Sequence, residues 1–246
     1  MDIVLLGTGD AVGVPKIGCH CPACEDALIG GSSKRSRFSV LIESSEGRIL
    51  IDTSPDMRSQ LLKNGITTVD GVIWTHAHYD HYVGFGEFYR VQKNVKVYGL
   101  KRTLDDILDD VGFISHLRHD IKLYESFELI GLEFMLIEVN HPTIETSVGV
   151  CVREGDKKLV VTSDTRREIP QKSLDEMSGA DLMIADAITP TEFKVMKHMN
   201  TKEALELAET LDVGEVILTH LSHYHPPHDI ASESLPLGYD GMRLHL

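Results

Sequence analysis

Thr75-His76-Ala77-His78-Tyr79-Asp80-His81 follows directly on the apolar run at 69–74 and says more about the fold than any other segment. Three imidazoles and a carboxylate stand within six residues. Alternate side chains of an extended segment share a face, so a strand would send His76 and His78 to one side. A turn would then carry Asp80 and His81 round to a second centre. No packing role asks for this order, whereas imidazole and carboxylate together suit Zn²⁺, Mn²⁺ or Fe.

Working outward, three other apolar runs end on a matching group. Asn140-His141-Pro142 follows 134–139, Ser163-Asp164-Thr165 follows 159–162, and Thr219-His220 follows 216–218. Singly, each is an ordinary polar strand end. Together with the histidine cluster they read as ligands arriving at one edge.

The remaining elements follow from periodicity and breakers. The run 3–6 ends at Gly7-Thr8-Gly9 and reads as a strand entering a glycine turn. Residues 13–31 read as loop. Residues 38–43 and 48–52 read as a hairpin about Ser44-Ser45-Glu46-Gly47. The spacing predicts a helix over 56–64, with Met57, Leu61 and Leu62 inward and Gly65 as its stop. A second helix is predicted over 103–111, with Leu104, Ile107, Leu108 and Val111 inward. Strands are expected at 69–74, 95–99, 182–185 and 216–219. Residues 127–139 read as two strands broken at Gly131, and 147–153 with 158–162 as a hairpin around Glu154-Gly155-Asp156. Asn200, with Glu203 three residues on, predicts a capping box opening a helix to 211. Strand pairs and then strand–helix alternation, repeated in each half, imply an α/β chain with two sheets covered by helices. No low-complexity linker divides 1–246, so one domain is expected.

Composition sets the outer limits. The 246 residues hold 38 Asp+Glu against 24 Lys+Arg, a formal charge of −14, with 13 histidines and four cysteines. At 42 % hydrophobic and 25 % charged the chain reads as globular, not disordered, collagen-like or stapled by disulfides. The negative balance argues against a long nucleic acid as partner, which needs a basic face. A small anionic substrate at a locally cationic site is compatible with it. No signal segment and no apolar run of about 18 residues is visible, so a cytoplasmic protein without a membrane partner is expected.

Gly18-Cys19-His20-Cys21-Pro22-Ala23-Cys24 is the second signal. Three thiols in six residues make half of a structural zinc site, and Cys19 and Cys21 are too close for an easy mutual disulfide. The residues leave the fourth ligand open. Cys151 sits in an alternating strand, and His20 would be strained.

The His-x-His-x-Asp-His order of 76–81, with the later strand-end groups, resembles the metallo-β-lactamase superfamily over nearly the whole chain. The resemblance implies a four-layer αββα sandwich, two mixed β-sheets flanked by helices, with two divalent ions at one edge. It implies that His76, His78 and His141 hold one ion and Asp80, His81 and His220 the other, with Asp164 bridging both. It also implies that Asp52 orients the histidine loop. The aspartate at 164 and the histidine at 81 resemble the dinuclear hydrolases more than true β-lactamases. The 26 residues after His220 are expected to exclude the helical substrate domain of the glyoxalase II type.

Within the superfamily, the Cys-x-Cys-x-x-Cys loop, Val12-Gly13-Val14-Pro15 and Tyr239-Asp240-Gly241-Met242 resemble the phosphodiesterases of the carbon–phosphorus lyase pathway. That resemblance implies a structural zinc on Cys19, Cys21, Cys24 and His223, and a loop at 18–24 built around it. It implies His198 as phosphate contact and general acid, a catalytic set of His198, Asp80 and Asp164, and a homodimer, for which the sequence shows no interface stripe. The activity implied is hydrolysis of a small anionic phosphodiester, cyclic forms included, by a water activated between the two ions. Thioester or lactone hydrolysis, transfer-RNA 3′ processing and a non-catalytic role in cofactor biosynthesis are the competing readings. His20, His225 and His228 lie near these sites in sequence, without assigned roles.

Overall fold

The computed structural model describes residues 1–142 and 144–246. Seven strands form the first sheet: β1 (Asp2–Gly7), β2 (Ser39–Ser44), β3 (Gly47–Ile51), β4 (Gly71–Ile73), β5 (Val95–Leu100), β6 (His116–Ile121) and the last strand of the chain, β13 (Met242–His245). Their spatial order is β13-β1-β2-β3-β4-β5-β6. The second sheet contains β7 (Ser126–Leu129), β8 (Leu132–Glu138), β9 (Val148–Glu154), β10 (Lys157–Val161), β11 (Leu182–Asp186) and β12 (Glu215–Thr219), in the order β12-β11-β10-β9-β8-β7. Each sheet is mixed. β3, β4, β5 and β6 run parallel in one, and β10, β11 and β12 in the other.

Alternation along the strands builds the layers. Ile3, Leu5, Val40, Ile42, Ile49 and Ile51 point from the first sheet at Phe134, Leu136, Val150, Val152, Leu159 and Val161 of the second. The residues between them face outward. Val4, Leu41 and Leu50 meet Trp74, Phe85, Leu104 and Ile107, under α2 (Met57–Lys63), the 3-10 turn Val83–Phe88 and α4 (Lys101–Val111). Cys151, Val160 and Met183 meet Met177, Ala204 and Leu207, under α5 (Gln171–Met177) and α6 (Thr201–Thr210). Short helices α1 (Pro22–Leu28), α3 (Tyr79–Tyr82) and α7 (His228–Ala231) lie in connecting segments. The result is the expected αββα sandwich. No helix among the described residues is long and apolar enough to cross a membrane.

The parallel strands place the site. In such sheets ligand groups gather beyond the carboxyl ends of the strands. Asp52 follows β3, the histidine segment follows β4, Asp164 follows β10, Asp186 closes β11 and His220 follows β12.

Two local expectations differ from the structure, and two strands have no counterpart in the sequence reading. Residues 13–31 are not all loop: Pro22 opens α1 at its first turn, where a missing N–H costs nothing, and Ala23, Cys24 and Ala27 are buried. In α2 the inward residue beside Met57 is Gln60, while Leu62 is 64 % exposed. Gln60 is satisfied there, its amide donating to Ser36 Oγ (3.0 Å) and the Arg37 carbonyl (2.8 Å) and its Oε1 accepting from Ser54 (2.9 Å). β6 and β13 are edge strands whose side chains are mostly half-buried or exposed, so they lack an apolar signature.

Candidate metal centre

β4 ends at Ile73, and His76 and His78 follow in extended backbone, with His78 at the N-terminus of α3. His78 Nδ1 stands 3.0 Å from His76 Nε2 and 3.1 Å from His141 Nε2. The single helical turn of α3 then rotates Asp80 and His81 to a second position. Asp80 Oδ2 lies 3.3 Å from His81 Nε2 and 3.8 Å from His220 Nε2. Asp164 lies between the two groups. Its Oδ2 is 3.4 Å from His81 Nε2, 3.7 Å from His76 Nε2 and 3.9 Å from His141 Nε2, and its Oδ1 is 3.3 Å from His220 Nε2. The ligand atoms of His76, His78, His141 and Asp164 lie within 4.8 Å of one another, as do those of Asp80, His81 and His220. All seven groups named from the sequence are thus brought together, in the two sets the resemblance implied.

The surrounding hydrogen bonds choose the tautomers. Asp52 is fully buried and accepts the Thr75 N–H (2.9 Å), the Thr75 hydroxyl (2.7 Å) and His81 Nδ1–H (2.7 Å). His76 Nδ1–H donates to Thr75 Oγ1 (3.0 Å), and His141 Nδ1–H to the Lys197 carbonyl (3.0 Å). With Nδ1 engaged, each ring turns an Nε2 lone pair inward, the arrangement a metal needs. His81 Nε2, His220 Nε2 and Asp164 Oδ1 are buried with no hydrogen-bond partner. Buried polar atoms are rarely left so, and converging imidazoles and carboxylates are the donors a divalent ion would satisfy. Burial, reinforced by His81, holds His76 well below the usual histidine range, and burial brings His78 down to about 4, so both rings are neutral and able to ligate.

His198 completes the edge. Its ring stacks on His220 at 5.0 Å between centroids and lies 4.8 Å from that of His141. Its Nδ1–H donates to Asp186 Oδ2 (2.8 Å), and the same oxygen accepts the Thr165 N–H (3.0 Å). Burial works against protonation of His198, but the Asp186 charge outweighs it and raises the imidazole above its ordinary value. Ligand atoms of Asp164, His198 and His220 fall within 4.8 Å of one another.

The cysteine loop reaches the C-terminal segment. Cys19 Sγ lies 3.3 Å from His223 Nδ1 and Cys21 Sγ lies 3.6 Å from it, and Cys24 joins them within 4.8 Å. Burial pushes the Cys24 thiol up to about 12, so its thiolate needs a cation in contact. Three sulfurs and one imidazole at these separations fit a tetrahedral zinc set.

A beta-lactamase superfamily domain matches residues 47–221. The chain belongs to that superfamily. Its fold is the metallo-β-lactamase fold. The octanoyltransferase of Porphyromonas gingivalis (strain ATCC BAA-308 / W83) is 28 % identical over 262 residues, covering 98 % of this chain; the chain spans about half of that protein, 51 %. Among solved structures, a diphosphatase from the PhnP family superposes with a TM-score of 0.87 at 28 % identity, covering 100 % of this chain and 97 % of the other. Zn²⁺-bound PqqB from Methylobacterium extorquens superposes with a TM-score of 0.86 at 21 % identity, covering both chains fully, which is a likeness of fold.

Against this superfamily frame, one site residue escaped the sequence reading. Asp186 has no role assigned from the sequence. The available signal was its position: it is the tip of β11, as Asp164 and His220 stand at the tips of β10 and β12. The three nearby histidines without assigned roles fall outside the ligand sets. His20 pairs with Glu25 at 2.6 Å on the surface. His225 is buried and donates Nε2–H to the Ala187 carbonyl (3.0 Å), and His228 Nδ1 accepts from Arg35 (2.9 Å).

Proposed function

We propose that this metallo-β-lactamase fold hydrolase is a dinuclear metal-dependent phosphodiesterase acting on a small anionic diester. The observation that carries the reading is His198. It borders both His141 and His220, its Nδ1 is committed to Asp186, and Nε2 is the nitrogen left for a substrate oxygen. The likeness to a PhnP-family diphosphatase at 28 % identity supports phosphorus over carbonyl carbon as the centre attacked.

His76, His78 and His141 would hold one ion and Asp80, His81 and His220 the second, with Asp164 shared; zinc, manganese and iron suit the set. Bound there, such ions supply Lewis acidity and a nucleophile available near neutral pH. The protein's part is to hold the rings. Asp52 and Thr75 fix His81 and His76, and the Lys197 carbonyl fixes His141. His198, its imidazole raised above its ordinary value despite burial by the Asp186 charge, donates its Nε2 proton to the departing oxygen, a role worth roughly 10²–10⁴-fold. Asp80 and Asp164 act as ligands at the reacting centre. Cys19, Cys21, Cys24 and His223 hold a structural zinc.

The test is turnover of bis(p-nitrophenyl) phosphate against a thioester panel by the metal-loaded protein, with His198→Ala alongside. Diester hydrolysis is expected, reduced by about 10²–10⁴ in kcat in the variant with metal content retained. Thioester cleavage without diester cleavage would overturn the reading, and near-wild-type turnover of the variant would remove His198 from it. A fully loaded but inert protein would favour an accessory role.

A further inference from the structure

Strands β10, β11 and β12 run parallel as neighbours, and their tips deliver Asp164, Asp186 and His220 side by side. The register pairs Asp186 with Thr219, so His220 stands one residue beyond the partner of Asp186 on the adjoining strand. Asp186 is pinned there: its N–H donates to Thr162 Oγ1 (3.0 Å), and its side chain is fully buried. Two imidazoles lie face to face beside this carboxylate, the rings of His198 and His220 being 16° from parallel. Each turns its Nδ1 to a different oxygen. Oδ2 accepts His198 Nδ1–H (2.8 Å) and Thr165 N–H (3.0 Å). Oδ1 stands 3.7 Å from His220 Nδ1, and both of these atoms are buried without a hydrogen-bond partner.

Unpaired buried polar atoms are costly, and a shift of under about 1 Å would bring these two to an ordinary N–H···O length. Ligating histidines donate their other ring N–H to a carboxylate, a carbonyl or a hydroxyl that holds the ring. His81, His76 and His141 already have such an anchor in Asp52, Thr75 and the Lys197 carbonyl. His220 has none unless Asp186 Oδ1 supplies it. We propose that Asp186 is a positioning residue for both rings. Through Oδ2 it aims the acid His198, and through Oδ1 it sets the Nδ1–H tautomer of His220 and so the affinity of the Asp80, His81 and His220 set for its ion. The acid and one metal ligand thereby hang on a single side chain. The role through Oδ2 rests on the phosphodiesterase reading, and the role through Oδ1 on the dinuclear edge alone.

Asp186→Asn tests the role through Oδ1. The two donors at Oδ2 keep the amide oxygen on their side, so the amide NH₂ faces His220. There it donates to Nδ1, which moves the ring proton to Nε2, the atom that should ligate. Chelator competition on the metal-loaded variant is expected to show one ion at the edge bound about 10- to 100-fold more weakly, with the other unchanged as a sign that the variant is folded. His198→Ala leaves the carboxylate in place and is expected to keep both ions at wild-type affinity. Proton NMR of the zinc-loaded protein labelled with ¹⁵N-histidine gives a second readout. The Nδ1–H resonance of His220 is expected in the wild type and in His198→Ala and is lost in Asp186→Asn, whereas that of His81 persists in all three. Unchanged affinity for both ions in Asp186→Asn, or an equal weakening in His198→Ala, would overturn the assignment. A wild-type spectrum with His220 protonated at Nε2 would overturn it without recourse to any variant. None of these readouts uses turnover, so a loaded wild type that cleaves no diester would overturn the proposed function and leave Asp186 as the anchor of His220.

Discussion

Asp52, Ser163 and His220 have left-handed backbones, at φ 61°, 53° and 55°. Each directly follows or lies within two residues of a strand end at the metal edge, and none is glycine. Such conformations cost about 1–3 kcal/mol each and persist only where the surroundings demand them. Here they turn the chain sharply so that a side chain faces the cluster and does not continue along the strand. Residue identity alone does not announce this, so the seven metal-edge groups were legible as a pattern while their aim was not. Asp52 shows the consequence. Its carboxylate joins the Thr75 hydroxyl and His81 Nδ1, so it sets the tautomer of one ring and the anchor of another. Asp52→Asn keeps the shape and removes the charge that favours His81 Nδ1–H. Affinity at the metal edge is expected to fall about 10- to 100-fold, measured by chelator competition on the loaded protein. Unaltered affinity would show that the ring is held by packing alone.

Elements were legible where burial writes a period and obscure where it does not. The two core hairpins and the central strands carry unbroken apolar runs, because both faces of these sheets are covered. β6 and β13 close one sheet at its two edges, and their polar sequences follow from that position. Residues 22–28 form a helix although cysteine, proline and glycine around them suggest a loop; the helix buries Ala23, Cys24 and Ala27 against Val14. The capping box at Asn200 was readable in full, since both of its hydrogen bonds come from residues three apart. Asn200 Oδ1 accepts Glu203 N–H (3.0 Å), and the Glu203 carboxylate accepts Asn200 N–H (3.0 Å). Asn200 also donates Nδ2–H to the Phe193 carbonyl (3.3 Å), which ties the segment bearing Lys194 to the start of α6. Asn200→Ala is therefore expected to cost about 1 kcal/mol, a drop of roughly 2–4 °C in Tm. Asn200→Asp keeps the cap acceptor and should recover most of that loss while still lacking the donor to Phe193. Thermal unfolding of both variants checks this, and equal losses would show that the cap contributes little.

At the scale of the molecule, the two ends of the sequence are brought together beside the metal edge. Leu221 N–H donates to the Thr8 carbonyl (2.8 Å), Arg35 donates to Thr8 Oγ1 (2.7 Å) and the Gly238 carbonyl (2.6 Å), and Cys19 meets His223 across 204 residues. His223 is three residues beyond His220, so whatever fixes the first steadies the second. A zinc on the cysteine loop would close this chain-long loop, and metal that binds only the folded form adds directly to its stability. The backbone contacts also join the two ends, which makes the expected loss finite and not a collapse. Cys21→Ser is predicted to release one zinc equivalent per chain and to lower stability by about 3 kcal/mol, or roughly 6–12 °C in Tm. Because His220 loses its neighbouring anchor, affinity for the second ion at the metal edge should weaken as well. Metal analysis and calorimetry on the same preparations separate the two effects. Unchanged zinc content in Cys21→Ser would end the structural-zinc reading, whereas lost zinc with an unchanged Tm would show that the strand contacts alone hold the two ends together.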